Sequence, residues 1–282
     1  MKYAIELKDV LKDYGDFKLD NISFAVPEGC ICGFIGQNGA GKTTTIKLIL
    51  DIIKKDGGEI KVFGQNVDSL SELKDEIGVV YDEMGFHDFL TAKDINVIMK
   101  NIYKNWEEET FFSYIKRFAL PTKKPCGKFS RGMRMKLQIA VALSHKAKLL
   151  IMDEPTSGLD PIVRNEILQI FQEYIMEENH TILLSSHITG DLERIADMVT
   201  FINGGKIILS GNKDEILEEH GLMKCKKSEL ESIDKEDIVS VRQSSFGVEL
   251  LVKDKKFCEK KYPDKVIETT TLEEIMLFYA AK

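Results

Sequence analysis

The sequence predicts an α/β fold built on a mainly parallel sheet, and three observations carry that reading. Strand-like and helix-like segments alternate along most of the 282 residues. Two of the strand-like runs, "CICGFI" (30–35) and "KLLIMDE" (148–154), are short and almost wholly apolar, as strands buried on both faces are. With 43% hydrophobic and 30% charged residues the chain is globular, long enough for one large domain or one domain with a small appendage.

The elements follow in order. Residues 2–10 ("KYAIELKDV") alternate as a strand, and Leu19–Val26 ("LDNISFAV") is a second, closed by a Pro27-Glu28-Gly29 turn. The apolar strand 30–35 comes next. A glycine-rich loop then leads into "KTTTIKLILDII", which has helical periodicity, and "DGGEIKVFG" returns to a strand after its Gly-Gly turn. Ile77–Asp82 ("IGVVYD") is another short apolar strand. From about Leu90 to Leu120, apolar residues recur every three or four positions, which predicts helix. Pro121–Gly127 breaks that pattern before the amphipathic run "GKFSRGMRMKLQIAVAL" (127–143), so a helical block occupies about 88–146. "PIVRNEILQIFQEYIM" is a helix with Pro161 at its first position, where a missing N–H costs nothing. "TILLSSH" is a strand, "GDLERIA" a short helix, and "MVTFINGGKIILSG" a hairpin with Asn203-Gly204 as its turn.

After about Leu222 the texture changes. "KCKKSELESIDKEDI" is dense in charge, "IVSVRQSSFGVELLVKD" reads as a strand pair, and "TLEEIMLFYAA" as a helix with Thr271 and Glu274 spaced as a capping box. The expected division is a main domain over 1–222 and a small α+β appendage over 223–282, the alternative being that the last residues extend the main domain.

Several functional classes receive no support. A net charge of −7 gives no electrostatic argument for nucleic acid. Five cysteines without framework spacing predict reduced, cytoplasmic usage, and they form no metal pattern with the five histidines. The N-terminus has no apolar signal core, and no run of eighteen apolar residues predicts a membrane span. If the protein works at a membrane, another chain supplies the span.

"GQNGAGKTT", Gly36–Thr44, fits the P-loop pattern in the required strand–loop–helix setting. Backbone N–H groups from Gly36, Asn38, Gly39, Ala40 and Gly41 are placed to cradle phosphate oxygens, and the helix start adds partial positive charge. Lys42 is expected to reach the β- and γ-phosphates, Thr43 to bind Mg²⁺ through its hydroxyl, and Thr44 to contact the α-phosphate side. The apolar strand ending at Asp153 and Glu154 supplies the acids: Asp153 for Mg²⁺, Glu154 to orient or deprotonate water. Adjacent side chains on a strand point opposite ways, so the strand must end there for both to serve.

On these residues the chain resembles the ATP-binding subunit of an ABC transporter over about 1–222, which implies a P-loop NTPase core of ABC type. It also implies an N-terminal antiparallel β subdomain and an inserted helical subdomain. "SGLDP" (157–161) looks like that family's D-loop, His187 in "LLSSHI" stands at the switch position that contacts the γ-phosphate, and Tyr14 stands where an aromatic stacks on adenine. Phe129-Ser130-Arg131-Gly132-Met133 aligns with the family signature, whose Ser130 hydroxyl and Gly132 N–H bind the γ-phosphate of ATP held by the opposite subunit. Catalytic roles accordingly fall to Glu154, His187 and Lys42.

Two departures stand out. Arg131 replaces a glycine, and either brings positive charge near the partner's nucleotide or faces solvent. Asp82, followed by Glu83, replaces the glutamine that reaches Mg²⁺ and the attacking water. A carboxylate still ligates Mg²⁺, but adds negative charge near the γ-phosphate.

The resemblance implies ATP and Mg²⁺ as ligands, a homodimer or a heterodimer with a similar ATPase, and a separate transmembrane permease. The chain would then lie at the inner face of the cell membrane, held there through that partner. The leading expectation is the motor of an exporter of peptides, antibiotics or lipid-like compounds. The alternatives are a non-transport ABC ATPase and a slow-turnover nucleotide-dependent regulator. The single ATPase module and the acidic charge speak against the former, and the presence of Glu154 and His187 against the latter.

Overall fold

The computed structural model describes residues 2–68, 73–83, 85–177, 179–244 and 247–281. Its centre is a six-stranded sheet in the order β10-β9-β3-β8-β7-β6. Here β3 is Ile31–Ile35, β6 Ile77–Val80, β7 Leu149–Asp153, β8 Thr181–Ser186, β9 Met198–Asn203 and β10 Lys206–Asn212. All neighbours are parallel except the β9–β10 hairpin. Every residue of β3, β7 and β8 is buried. The pleat sorts them alternately onto two faces. Ile31, Ile35, Leu150, Met152, Ile182 and Leu184 enter one core; Cys32, Phe34, Leu149, Ile151 and Leu183 enter the other. Strands flanked by apolar layers on both sides have no polar face to show, which is why these runs lack alternation.

The second core is closed by α1 (Lys42–Ile49) and an antiparallel sheet in the order β2-β1-β4-β5. Its strands are β1 (Tyr3–Asp13), β2 (Lys18–Pro27), β4 (Gly57–Val62) and β5 (Gln65–Asn66). The first core is closed by helices. Within the expected helical block lie α2 (Ala92–Ile102), α3 (Glu108–Arg117) and α4 (Arg131–Ala142), followed by α5 (Pro161–Ile175) and α6 (Thr189–Ile195). Thr91 and Asp94 close a full capping box on α2, and Asp160 caps α5 directly before Pro161.

Two boundaries move. α1 ends at Ile49, short of the predicted run. The hairpin turn is Gly204-Gly205 rather than Asn203-Gly204: both glycines have positive φ (51° and 73°), as a two-residue type I′ loop requires, and Asn203 stays in β9. Residue 222, where the division is expected, lies inside β11 (Gly221–Cys225), and the chain passes from α7 (Lys213–Glu219) through His220 into the third sheet.

That sheet runs β12-β13-β11-β14, with β12 Ile238–Ser244, β13 Gly247–Val252 and β14 Val266–Thr269, all antiparallel. The predicted strand pair is β12 and β13, and residues 245–246 between them lie outside the described residues. One face of this sheet forms a small core of its own (Met223, Val248, Leu250, Val252) together with Cys258 of α8 (Lys255–Lys261). The other face joins the main core through Leu222, Val239 and Leu251 and through Leu272, Ile275 and Phe278 of α9 (Leu272–Ala280). α9 packs on α6, and the Leu272 N–H donates to Glu193 at 2.6 Å. The predicted Thr271–Glu274 capping box is formed.

Candidate functional site

Parallel strands point their C-terminal ends the same way, so β3, β8 and β7 deliver their following loops to one edge of the sheet. The register makes this specific: Ile35 pairs with Ser186, and Asp153 with Ser185. The loop Gly36–Gly41, the acids Asp153 and Glu154, and His187 therefore meet, although more than a hundred residues separate the loop from the other two in sequence.

The loop reverses through Gly39 and Gly41, with φ of 80° and 115°, values that a side chain strains. At Gly41 a Cβ would also lie 2.6 Å from Leu19, so the loop lies against the N-terminal sheet. Gly41 caps α1 without a side-chain hydrogen bond, and the first turn carries no acid. The first N–H groups of α1 are thus unclaimed by any cap, and the turn is electrostatically suited to an anion.

Lys42 is buried, and its Nζ donates to the Gly36 and Gln37 carbonyls at 2.7 and 3.2 Å. The same ammonium lies 3.0 Å from Glu154 Oε1. Thr43 donates its hydroxyl to Asp153 Oδ2 at 2.6 Å. Ser185, fully buried on β8, donates to Asp153 Oδ1 at 2.6 Å and accepts the Glu154 N–H at 3.1 Å. Nothing in the sequence marks Ser185; it is found only through the strand register. His187 Nδ1 is 2.7 Å from Glu154 Oε2.

Glu154 sits at φ 52°, a left-handed conformation that a non-glycine residue adopts only at a cost. That turn ends β7 at Asp153 and swings Glu154 back toward Lys42 and His187, so the two adjacent acids converge, as the chemistry required. Asp153 also bears on Tyr81, just after β6, whose hydroxyl is pushed above its usual pKa first by burial and then by the Asp153 charge.

A cavity of about 470 Å³ opens over this cluster, lined by Phe17, Gln37, Asn38, Lys42, Thr43 and Glu154 among others. Gly36, Gly39, Ala40 and Thr44 complete the loop and the helix start around it. The aromatic on this cavity is Phe17 rather than the expected Tyr14. Tyr14 is half exposed, with Lys12 Nζ 5.4 Å from its ring centre, and is joined to Phe17 through backbone (Tyr14 N–H to Phe17 O, 2.9 Å). Both aromatics lie in the same turn between β1 and β2, and Phe17 is the one that lines the cavity.

Asp82 is not gathered beside Thr43 and Asp153. Its carboxylate pairs with the Arg131 guanidinium of the same chain. Asp82, the residue expected to reach Mg²⁺, thus has one carboxylate oxygen on this cation. The same pair engages the charged end of Arg131. Ser130 is exposed and accepts the Met133 N–H at 3.3 Å, capping α4; Gly132 faces Val163 of α5. No hydrogen bond joins Ser130 to the phosphate-type loop among the described residues.

A magnesium–nucleotide fits the chemistry of these residues. Glu154 Oε1 is buried and accepts no well-directed hydrogen bond among the described residues, the uncapped N–H groups of α1 face the loop, and Thr43 and Asp153 pair a hydroxyl with a carboxylate. Mg²⁺ commonly binds through one or two protein oxygens plus phosphate, without an all-protein cage.

Strand, glycine loop, lysine and paired acids at the head of a parallel sheet define a P-loop nucleoside triphosphatase. The family model described as ABC transporter matches residues 19–157, and one described as an AAA domain matches 125–190, the stretch holding Asp153, Glu154 and His187. The bacitracin transport ATP-binding protein BcrA of Bacillus licheniformis is 40% identical over 212 residues, 74% of this chain and 69% of that protein. The lantibiotic transport ATP-binding protein SrtF of Streptococcus pyogenes is 36% identical over 220 residues, 76% of this chain and 94% of that protein. A solved ATP binding subunit of an ABC transporter superposes with a TM-score of 0.69 at 28% identity, covering 76% of this chain and 91% of that one. The chain belongs to the ABC transporter ATP-binding family, and it is an ATPase subunit of a transporter.

Proposed function

We propose that this chain drives the export of peptide antibiotics by hydrolysing Mg-ATP at Lys42, Thr43, Asp153, Glu154 and His187. The observation that carries this is the convergence of Lys42, Glu154 and His187 beside the Thr43–Asp153 pair. Lys42, already stripped of water by the Gly36 and Gln37 carbonyls, exchanges those partners for phosphate oxygens. Thr43 and Asp153 hold Mg²⁺, which when bound offsets phosphate charge. Glu154 takes the proton of the attacking water at Oε1, while His187 fixes Oε2 and reaches toward the γ-phosphate. ADP and phosphate then leave, and the proton on Glu154 returns to solvent.

The site is half of a larger one. Ser130 and Gly132 start the twelve-residue α4 with a turn that, among the described residues, makes no hydrogen bond to the glycine-rich loop of the same chain. This supports a two-fold arrangement in which the turn grips the γ-phosphate of a second chain, whether an identical copy or a similar ATPase. ATP stabilises the closed pair, and its loss releases it.

A separate permease receives that motion. A largely apolar groove of about 530 Å³ runs between Leu50, Ile52, Ile77, Tyr81, Ile102 and Tyr103, with Lys74, Asp75 and Lys104 also lining it and Ile52 and Ile102 more than half exposed. It begins at Tyr81, one residue from Asp82, and suits a short helix from the membrane chain. No helix among the described residues is long and apolar enough to cross a membrane, so the permease supplies the span and holds this subunit at the inner face. The substrate class follows from the relatives named for bacitracin and lantibiotic transport.

The decisive test is ATP hydrolysis by the purified chain against Lys42→Ala, with Glu154→Gln examined by light scattering in Mg-ATP. Wild type exceeds the Lys42→Ala background and Glu154→Gln dimerises. Hydrolysis no higher than Lys42→Ala sinks the motor reading. For the substrate, loss of the chain lowers the host's tolerance of bacitracin-like peptides, and Lys42→Ala does not restore it; unchanged tolerance rejects that class.

A further inference from the structure

Two charged residues stand where the family resemblance leads one to expect uncharged ones, and the fold brings them together. Asp82 is two residues past the end of β6; Arg131 is the first residue of α4. Their side chains form an ion pair across 49 positions of sequence, each about half exposed. The guanidinium continues past Asp82 onto the turn after β7: a Cβ on Gly158 would lie 2.9 and 3.1 Å from Arg131 Nη1 and Cζ. Gly158, at φ 65°, leaves the space that the arginine fills. Arg131 thus touches the loop after β6, whose Tyr81 feels the Asp153 charge, and the turn four residues past Glu154.

We propose that Arg131 is a positioning residue for ATP hydrolysis, neutralising Asp82 and holding it beside the turn at Gly158. The inference rests on the proposed function. Alone, a carboxylate at position 82 repels the γ-phosphate, whereas an arginine paired to it cancels the charge. Neither substitution is then independent: the acid requires the base. The pair is not needed to join α4 to this loop, because the buried Gln138 side chain already donates to the Tyr81 carbonyl at 3.1 Å. Its role is therefore electrostatic and local.

A double-mutant cycle on the full chain tests this, using Mg-ATP hydrolysis with KM and kcat measured separately. Arg131→Gly raises KM for Mg-ATP about three- to fivefold, the range an exposed ion pair supports. In the Asp82→Gln background the same change alters KM less than twofold, and Arg131→Lys in the wild-type background stays within twofold of wild type. Thermal unfolding of each variant is recorded alongside; should Arg131→Gly fail to fold, Arg131→Gln takes its place in the cycle. Equal fold-changes in both backgrounds overturn the pair while leaving an active ATPase. Wild-type activity no higher than Lys42→Ala instead overturns the parent reading.

Discussion

Ser185→Ala removes one oxygen and isolates what holds the two acids in register. The hydroxyl donates to Asp153 Oδ1 at 2.6 Å and accepts the Glu154 N–H at 3.1 Å. The Glu154 N–H keeps a second acceptor, the Ser185 carbonyl at 3.2 Å, so the loss falls chiefly on Asp153. Asp153 is 5% exposed and cannot recruit bulk water freely. A hydrogen bond to a buried charged group contributes about 1.5–3 kcal/mol, so stability falls by that order and Tm by roughly 3–12 °C for a chain of this size. Because Ser185 orients a group assigned to the metal, Mg²⁺-dependent activity falls about 10- to 100-fold, as for supporting residues around metal ligands. The assay is thermal unfolding without nucleotide, followed by ATPase activity titrated with Mg²⁺. A variant that unfolds with wild type and needs no more Mg²⁺ refutes the argument. It would mean that Thr43 alone fixes Asp153.

Three further outcomes follow from other parts of the molecule. Phe278 of α9 is fully buried in the main core, so Phe278→Ala costs about 3–5 kcal/mol; an unfolding midpoint within 2 °C of wild type would show that the C-terminal region folds apart from the rest. Ile102→Asp places charge in the apolar groove and abolishes co-purification with the permease, while ATP binding by the isolated chain stays intact; retained co-purification places the docking surface elsewhere. Burial against Tyr103, only partly offset by the charge of Asp75, holds the His145 pKa down at about 4. Between that value and its ordinary 6.5 the unfolded chain binds the proton that the folded chain refuses, so stability rises with pH across this window, and falls by about 3 kcal/mol on acidification from 6.5 to 4. His145→Phe flattens that limb in urea unfolding at a series of pH values; an unchanged slope assigns acid sensitivity to other groups.

What could be read from the chain itself divides along a physical line. The loop Gly36–Thr44, the strand ending in Asp153-Glu154, Pro161 at a helix start and the Thr271–Glu274 cap are local: backbone conformation and a neighbouring side chain decide them within a few residues. Their chemistry is legible wherever they occur. Ser185, Phe17 and the Asp82–Arg131 pair are not local. Ser185 matters only because β8 lies beside β7 with Asp153 opposite it, a register set by packing across two cores. Phe17 rather than Tyr14 faces the phosphate loop because of how one turn of the N-terminal sheet folds over it. Strands β11 and β14 escaped notice for a related reason: each is short, with exposed Lys224 in β11 and mostly exposed residues in β14, so neither shows the apolar run of a central strand.

The C-terminal region joins the rest of the chain through one face of its sheet. Charge density rises after residue 222, but the chain is already inside β11, and the sheet it enters has two different faces. The face bearing Met223, Leu250 and Val252 closes on Cys258 of α8 and on Ile233, within the C-terminal region itself. The face bearing Leu222, Val239 and Leu251 is finished only by α9 and the main core. Removing everything after 222 therefore strips α9 from α6, the helix that begins two residues after His187. Such a truncation cannot test nucleotide binding alone, since it also removes the layer under the segment that carries the switch histidine. A truncation after Thr269 removes α9 and leaves the outer core of Met223, Leu250, Val252 and Cys258 in place. Comparing it with the full chain isolates what α9 contributes to ATP affinity, and comparing it with the cut at 222 isolates what the appended sheet contributes.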